Sequence, residues 1–164
     1  MMTLDENRKE AYKAFLTAHA RIHQSIDSAL MAANLLPLTW YDVLVTLEYA
    51  NGHALRMCEL ADVVLLSRSG LTRLVDKLEE QGYVRRETCQ DDRRGYLCVL
   101  TESGRAAREK SWPLVSSLIQ ELFGSLMNDE EVSGMHKICD RIVTTVKQFE
   151  EARSPKANLA VANG

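Results

Sequence analysis

The chain has 164 residues, 46% hydrophobic and 26% charged, with a net charge of −3, enough for one domain with a sizeable core or two small lobes sharing helices, and ill-suited to indiscriminate polyanion binding. No apolar run approaches the roughly 20 residues that a membrane helix needs, and the N-terminus, MMTLDENRKEAYK, lacks a signal peptide's apolar stretch, so a cytoplasmic, non-membrane protein is expected. Cys58, Cys89, Cys98 and Cys139 are widely spaced with no CxxC pair, a pattern of reduced thiols and not of a disulfide framework or zinc site.

From Leu4 to Ala33 the residues Tyr12, Phe15, Leu16, Ile22, Ile26, Ala29, Leu30 and Ala33 recur at three- and four-residue steps, which predicts a long amphipathic helix. His19 and His23 fall on or beside that stripe. Without a third ligand nearby in sequence, they read as core-edge or pocket-lining imidazoles and not as a metal site. Pro37 interrupts the chain, and Thr39, with Asp42 three residues on, predicts the capped start of a second helix. Trp40, Val43, Leu44, Leu47 and Ala50 line its inner face, and Asn51-Gly52 ends it. Trp40 and Tyr41 sit where two helices should meet, as core or as the wall of a small pocket.

A short extended piece around Ala54 and Leu55 leads into a third helix, Met57 to Leu65, facing inward with Met57, Leu60, Ala61 and Val64. Ser67 follows almost at once, and two helices so closely joined form a helix-turn-helix. In the second of them, at about 100° per residue, Leu71, Leu74, Val75 and Leu78 share one side. Ser69, Arg73, Asp76 and Glu80 fall opposite, with Lys77 beside them and Thr72 at the border. The outer face is thus hydroxyl and basic first, acidic later, so only its first two turns suit a groove lined by phosphates. The first-turn amides near Ser67 to Gly70 favour a phosphate, and Gly70 allows close approach. An ordinary solvated helix would show the same charge spacing.

Gly82 ends this helix. Tyr83 to Thr88 and Tyr96 to Leu100 read as paired strands joined by Cys89 to Gly95. The loop carries Asp91-Asp92-Arg93-Arg94, without net charge: either a solvated turn, or a tip whose arginine enters the minor groove while Asp92 orients it. Thr101 caps a further helix bearing Ala106, Ala107, Leu114, Val115, Leu118, Ile119, Leu122, Phe123 and Leu126, which Pro113 should kink or restart. Asn128 and Glu131 form a capping box for a last helix lined by Val132, Met135, Ile138, Cys139, Ile142, Val143, Val146 and Phe149. Three such stripes exceed what one winged helix needs to cover, which points to a dimer interface. The tail from Ser154 has no sustained pattern and is expected to be disordered.

The stretches LPLTWYDVLVTLEYA, MCELADVVLLSRSGLTRLVDKLEEQGYVRR and DDRRGYLCVLTESG, within residues 35–104, resemble the MarR family of dimeric winged-helix transcription factors. The order of elements is similar from about residue 10 to 150. The expected fold is mainly α with a small β-hairpin wing: an N-terminal dimerisation and pocket helix (1–36), a winged helix-turn-helix (37–100), C-terminal dimerisation helices (101–153) and a tail (154–164). The resemblance implies that Ser67, Arg68, Ser69, Gly70, Thr72 and Arg73 face the major groove or its flanking phosphates. It makes Asp92 and Arg94 the wing pair, with Arg94 in the minor groove, and Lys77, Arg85, Arg86 and Arg93 weaker candidates for backbone contacts.

The family commonly releases DNA on binding small, often aromatic ligands, and by position His19, His23, Trp40 and Tyr41 would line the cleft concerned. Its peroxide-sensing branch uses a cysteine early in the first helix region, whereas this chain has none before Cys58. The expectation is a homodimeric repressor on pseudo-palindromic double-stranded DNA, released by a small effector, with no cofactor. No P-loop, nucleophile elbow or HExxH supports an enzyme. Two alternatives stand beside it: a thiol-based redox sensor using Cys58, Cys89 or Cys98, and a winged helix that binds an acidic protein.

Overall fold

The structure, a computed structural model, describes residues 4–64, 67–89 and 95–153. In chain order it has α1 (Glu6–Ala32), α2 (Leu38–Tyr49), a 3₁₀ turn (Asn51–His53), β1 (Ala54–Arg56), α3 (Met57–Val63), α4 (Arg68–Glu80), β2 (Val84–Thr88), β3 (Tyr96–Leu100), α5 (Glu102–Leu122), a second 3₁₀ turn (Gly124–Leu126) and α6 (Asp129–Arg153). No helix among the described residues is long and apolar enough to cross a membrane. The chain divides into two compact units, Met1–Ile119 and Gln120–Gly164.

The first unit holds the core. Ile26 and Leu30 of α1, Val43, Leu44 and Leu47 of α2, and Leu60 and Ala61 of α3 are buried together with Leu71, Val75 and Leu78 of α4, Val84, Cys98 and Leu100 of the sheet, and Val115 of α5. Each fully buried aliphatic side chain contributes about 1.5–3 kcal/mol of transfer free energy. The apolar stripe read from the sequence of α4 is therefore the stripe that is buried. Only the second half of α1 joins this core: Tyr12, Phe15 and Leu16 are exposed.

The sheet has one more strand than the hairpin predicts. Its order is β1-β3-β2, antiparallel throughout, with Leu55 opposite Cys98 and Arg86 opposite Cys98 from the other side. Three residues are too few for an alternating pattern to show in the sequence, so Ala54 and Leu55 read there only as extended chain. At the far end of the hairpin, the Cys89 N–H donates to the Gly95 carbonyl at 3.0 Å.

The cap of α2 differs from the expectation. Thr39 lies inside the helix and not at its start; Pro37 is the N-cap residue and offers no side-chain bond. The first free amide, that of Leu38, instead donates to Asp27 Oδ1 of α1 at 2.8 Å. An acceptor eleven positions upstream does what a local threonine was expected to do, and its charge also favours the positive end of the helix. Elsewhere the local signals hold. Thr101 Oγ1 accepts from the Gly104 N–H at 3.1 Å. The Asn128 side chain and Glu131 satisfy each other's backbone N–H at 3.0 and 2.9 Å. Helix α5 runs through Pro113 and does not restart there.

Glu48 near the end of α2 fixes α5. It accepts from Arg105 Nη1 at 3.0 Å and faces Arg108 Nε at 2.6 Å, all three side chains being largely shielded from water. In the second unit no residue of α6 is buried, and Val132, Ile138, Ile142, Val143, Val146 and Phe149 form an exposed apolar stripe.

Candidate nucleic-acid interface

Helix α4 is capped at its start by a side chain. Ser67 is its N-cap, and its Oγ accepts from the Gly70 N–H at 3.1 Å. That bond occupies one of the first-turn amides that the sequence reading left for a phosphate. A Cβ on Gly70 would stand 3.1 Å from the same Oγ, so this glycine serves the cap as well as any close approach. The helix ends in a Schellman motif: Gly82, at φ +73°, donates to Glu79 O and Tyr83 donates to Leu78 O, both at 2.9 Å.

The exposed face of α4 carries Ser69, Thr72, Arg73, Lys77 and Glu80. Arg73 and Lys77 make no ion pair among the described residues, so their full charge is available to a polyanion. Ser69 Oγ lies 3.4 Å from Ser67 Oγ. The side chain of Arg68 and the wing-tip residues Asp92, Arg93 and Arg94 lie outside the described residues.

The two other arginines of the reading are occupied. Arg86 on β2 donates through Nη2 to Asp76 Oδ1 at 2.5 Å and through Nη1 to Glu79 Oε2 at 2.6 Å, while its backbone N–H donates to Glu79 Oε1 at 2.8 Å. Burial opposes its charge, yet the two carboxylates more than offset that and raise its pKa. Arg85 bonds Glu87 two residues along the same strand at 2.8 Å. Asp76, expected to face outward as a bare negative charge, is thus paired. Arg56, exposed at the junction of β1 and α3, is a cation that the sequence reading passed over because the strand it ends was not visible.

The expected pocket residues separate. Trp40 lines a cavity of about 220 Å³ with Asn34, Leu35, Leu36, Pro37, Tyr83, Ala107, Lys110 and Ser111. Trp40 and Tyr83 meet edge to face there, ring centroids 6.3 Å apart. Tyr41 instead is buried in the core, which pushes its phenol pKa up. His19 and His23 lie one turn apart on α1 with their rings tilted, centroids 6.1 Å apart, and are not among the residues lining this cavity. Tyr83, Lys110 and Ser111 come from elements far apart in sequence, so no local spacing could have grouped them with Trp40.

The thiols are unlike one another. Cys58 is exposed, Cys89 and Cys98 are buried. Burial pushes the Cys98 thiol up to about 12, with Arg86 pulling weakly the other way, so it is a protonated, unreactive group at neutral pH. Among the described residues no cluster of three His, Cys, Asp or Glu side chains could hold a metal ion.

The sequence pattern of the MarR family matches residues 36–95. The HTH-type transcriptional regulator PrsX of Escherichia coli is 31% identical over 116 residues, which is 71% of this chain and 69% of that protein. Two solved structures from Streptomyces coelicolor share the fold. AbsC, a MarR family transcriptional regulator, superposes with a TM-score of 0.78 at 26% identity, covering 90% of this chain and 99% of that one. Sco3205, a MarR family transcriptional regulator crystallised in complex with DNA, superposes with a TM-score of 0.77 at 27% identity, covering 88% and 90%.

Proposed function

The chain belongs to the MarR family of transcriptional regulators, and from that premise we propose that it is a homodimeric repressor that reads a pseudo-palindromic site in double-stranded DNA. The observation that carries the reading is the outer face of α4, where Arg73 and Lys77 stand exposed and unpaired among the described residues while the opposite face is sealed into the core. In this reading α4 enters the major groove. Ser67, Arg68, Ser69, Gly70, Thr72 and Arg73 lie against base edges or flanking phosphates, and Lys77 against the backbone. Beyond β2 and β3, Arg94 reaches the minor groove, oriented by Asp92, with Arg93 beside it on phosphate.

Dimerisation supplies what one acidic protomer lacks. The exposed stripes of α1 and α6 bury against a second copy, so that residues 1–36 and 101–153 act as dimerisation segments around a reading head at 37–100. Two heads at a fixed spacing place their helices in successive major grooves, about 10 base pairs apart. Occupying a promoter in this way excludes polymerase, hence repression.

The cavity beside Trp40 is the effector site. Two aromatic edges and the Lys110 ammonium suit a single-ring aromatic acid. Tyr83 gives such a ligand purchase on the reading head: its side chain lines the cavity, its N–H holds the last turn of α4, and its carbonyl accepts from Thr101 N–H at 3.1 Å. A ligand that favours the DNA-incompetent head spacing releases the operator, with coupling of about 1–3 kcal/mol.

Selection of bound genomic fragments, followed by footprinting, tests the core of this reading. A two-fold symmetric footprint with strong salt dependence is expected. An asymmetric footprint, or a protein that sediments as a monomer when DNA-bound, sinks the dimer reading.

A further inference from the structure

The charges between α4 and β2 are arranged for something other than contact with DNA. Asp76 and Glu79 are one helical turn apart on α4, and Arg86 reaches both from the neighbouring strand, using two different guanidinium nitrogens. Glu79 answers with both oxygens, one on the guanidinium and one on the Arg86 backbone N–H. Nη2 also lies 3.4 Å from the Thr72 carbonyl. The Arg86 side chain is about one-fifth exposed, against about half for Asp76, and both of its terminal nitrogens are engaged by acceptors on α4. A forked cation held this way fixes angle as well as distance. What it fixes is the strand that leads to the wing relative to the helix that enters the groove.

We propose that Arg86 and Glu79 form a positioning pair for DNA recognition: they lock the wing strand to the recognition helix so that both grooves are met at once, and Arg86 contacts no phosphate. The proposal rests on the regulator reading above. Binding at the operator needs α4 and the wing engaged together, so a loosened strand lowers the effective concentration of the second contact. Binding to random duplex rests on phosphate charge and is far less sensitive to that angle.

The test compares Arg86→Gln and Glu79→Ala with the parent protein on a selected operator and on random duplex across a salt series, with melting temperatures recorded for each. Glu79→Ala is the decisive variant because it removes a negative charge close to the DNA. Electrostatics alone then predicts tighter binding, whereas a positioning role predicts weaker binding. The expected result is a loss of about tenfold on operator for both variants and under about threefold on random duplex, with the slope of log affinity against log salt unchanged. Glu79→Ala binding operator as tightly as the parent or more tightly overturns the proposal. So does an Arg86→Gln variant that loses equally on both DNAs while its salt slope drops by about 0.9, the mark of a lost phosphate contact. If Arg86→Gln does not fold, Glu79→Ala decides alone, since the Glu79 side chain is over one-third exposed and its removal leaves the buried residues of α4 in place while taking away both of its bonds to Arg86. The parent titration, run alongside, tests the regulator reading separately.

Discussion

The carbonyl oxygen of Tyr83 occupies the space beside Gly104 so closely that a Cβ added there would lie 2.1 Å from it. The first turn of α5 can pass the end of α4 only because this position has no side chain. Thr101 reinforces the junction from the same turn, its Oγ1 donating to the Gly82 carbonyl at 2.6 Å. Backbone cannot retreat as the tip of a long side chain can. Gly104→Ala should therefore cost about 2 kcal/mol or more, the range for overpacked sites, and lower the melting temperature by about 5 °C. Because the Tyr83 N–H also holds the last turn of α4, operator binding should fall with it. An alanine variant that melts with the parent would show that the contact relaxes freely.

Asp27 and Thr39 make a sharper comparison, since each is a candidate for the same job. The Leu38 amide bonds Asp27 Oδ1, and Thr39 makes no cap bond. Asp27→Ala should destabilise by about 1 kcal/mol, whereas Thr39→Ala should stay within about 0.5 kcal/mol. Chemical denaturation of the two variants measures the difference, and the reverse order would restore the local cap.

These cases show what a sequence displays and what it hides. The buried faces of α2 and α4, the Thr101 cap and the Asn128–Glu131 box all lie within one or two turns, so their spacing is visible in the string. Asp27 capping α2, Arg86 gripping Asp76 and Glu79, and Glu48 holding Arg105 and Arg108 are settled by tertiary packing. Strand β1 escaped because three residues have no period. The outer face of α4 was legible by angle, yet which of its charges are free was not: Asp76 looked bare and is paired, and Arg86 looked available and is spent. The cavity was legible through Trp40 alone.

Cys98 and Cys58 separate a structural thiol from an accessible one. Alkylation at pH 8 should modify Cys58 in the folded protein and leave Cys98 intact until the chain unfolds. A pH effect follows with a definite sign. The Cys98 thiol moves from an ordinary 9.0 to about 12 on folding, so between those values the unfolded chain loses a proton that the folded one keeps. Its contribution to stability is full below about pH 9 and falls as pH rises toward 12, by about 1.4 kcal/mol per pH unit. Cys98→Ala should flatten that part of the stability curve. Rapid alkylation of Cys98 in the folded protein would overturn its assignment as a structural thiol.

Lys110 offers a test of effector chemistry that spares the fold, because it is exposed at the rim of the cavity. If its ammonium holds a carboxylate, Lys110→Gln should raise the concentration of an aromatic acid needed for DNA release by about tenfold, the worth of one charge-assisted contact. The neutral amide of the same acid should be weak on the parent and unaffected by the substitution. Operator affinity without ligand should not change. Equal response of both proteins to the acid would place the effector elsewhere.

Arg73 and Lys77 share the outer face of α4 one turn apart, both exposed and neither in an ion pair among the described residues. They should nonetheless fail differently. Arg73 stands on the second turn, where a forked donor can reach a guanine edge. Lys77 stands a turn later, beside the acidic end, where only the backbone is a suitable partner. Arg73→Ala should cost about 1–3 kcal/mol on operator and relax base preference, with a smaller loss on random duplex. Lys77→Ala should weaken all sequences alike and reduce the salt slope by about 0.9. Competition titrations with single-base operator variants across a salt series resolve the two patterns. Identical patterns would mean that α4 lies along the phosphates without its second turn entering the groove.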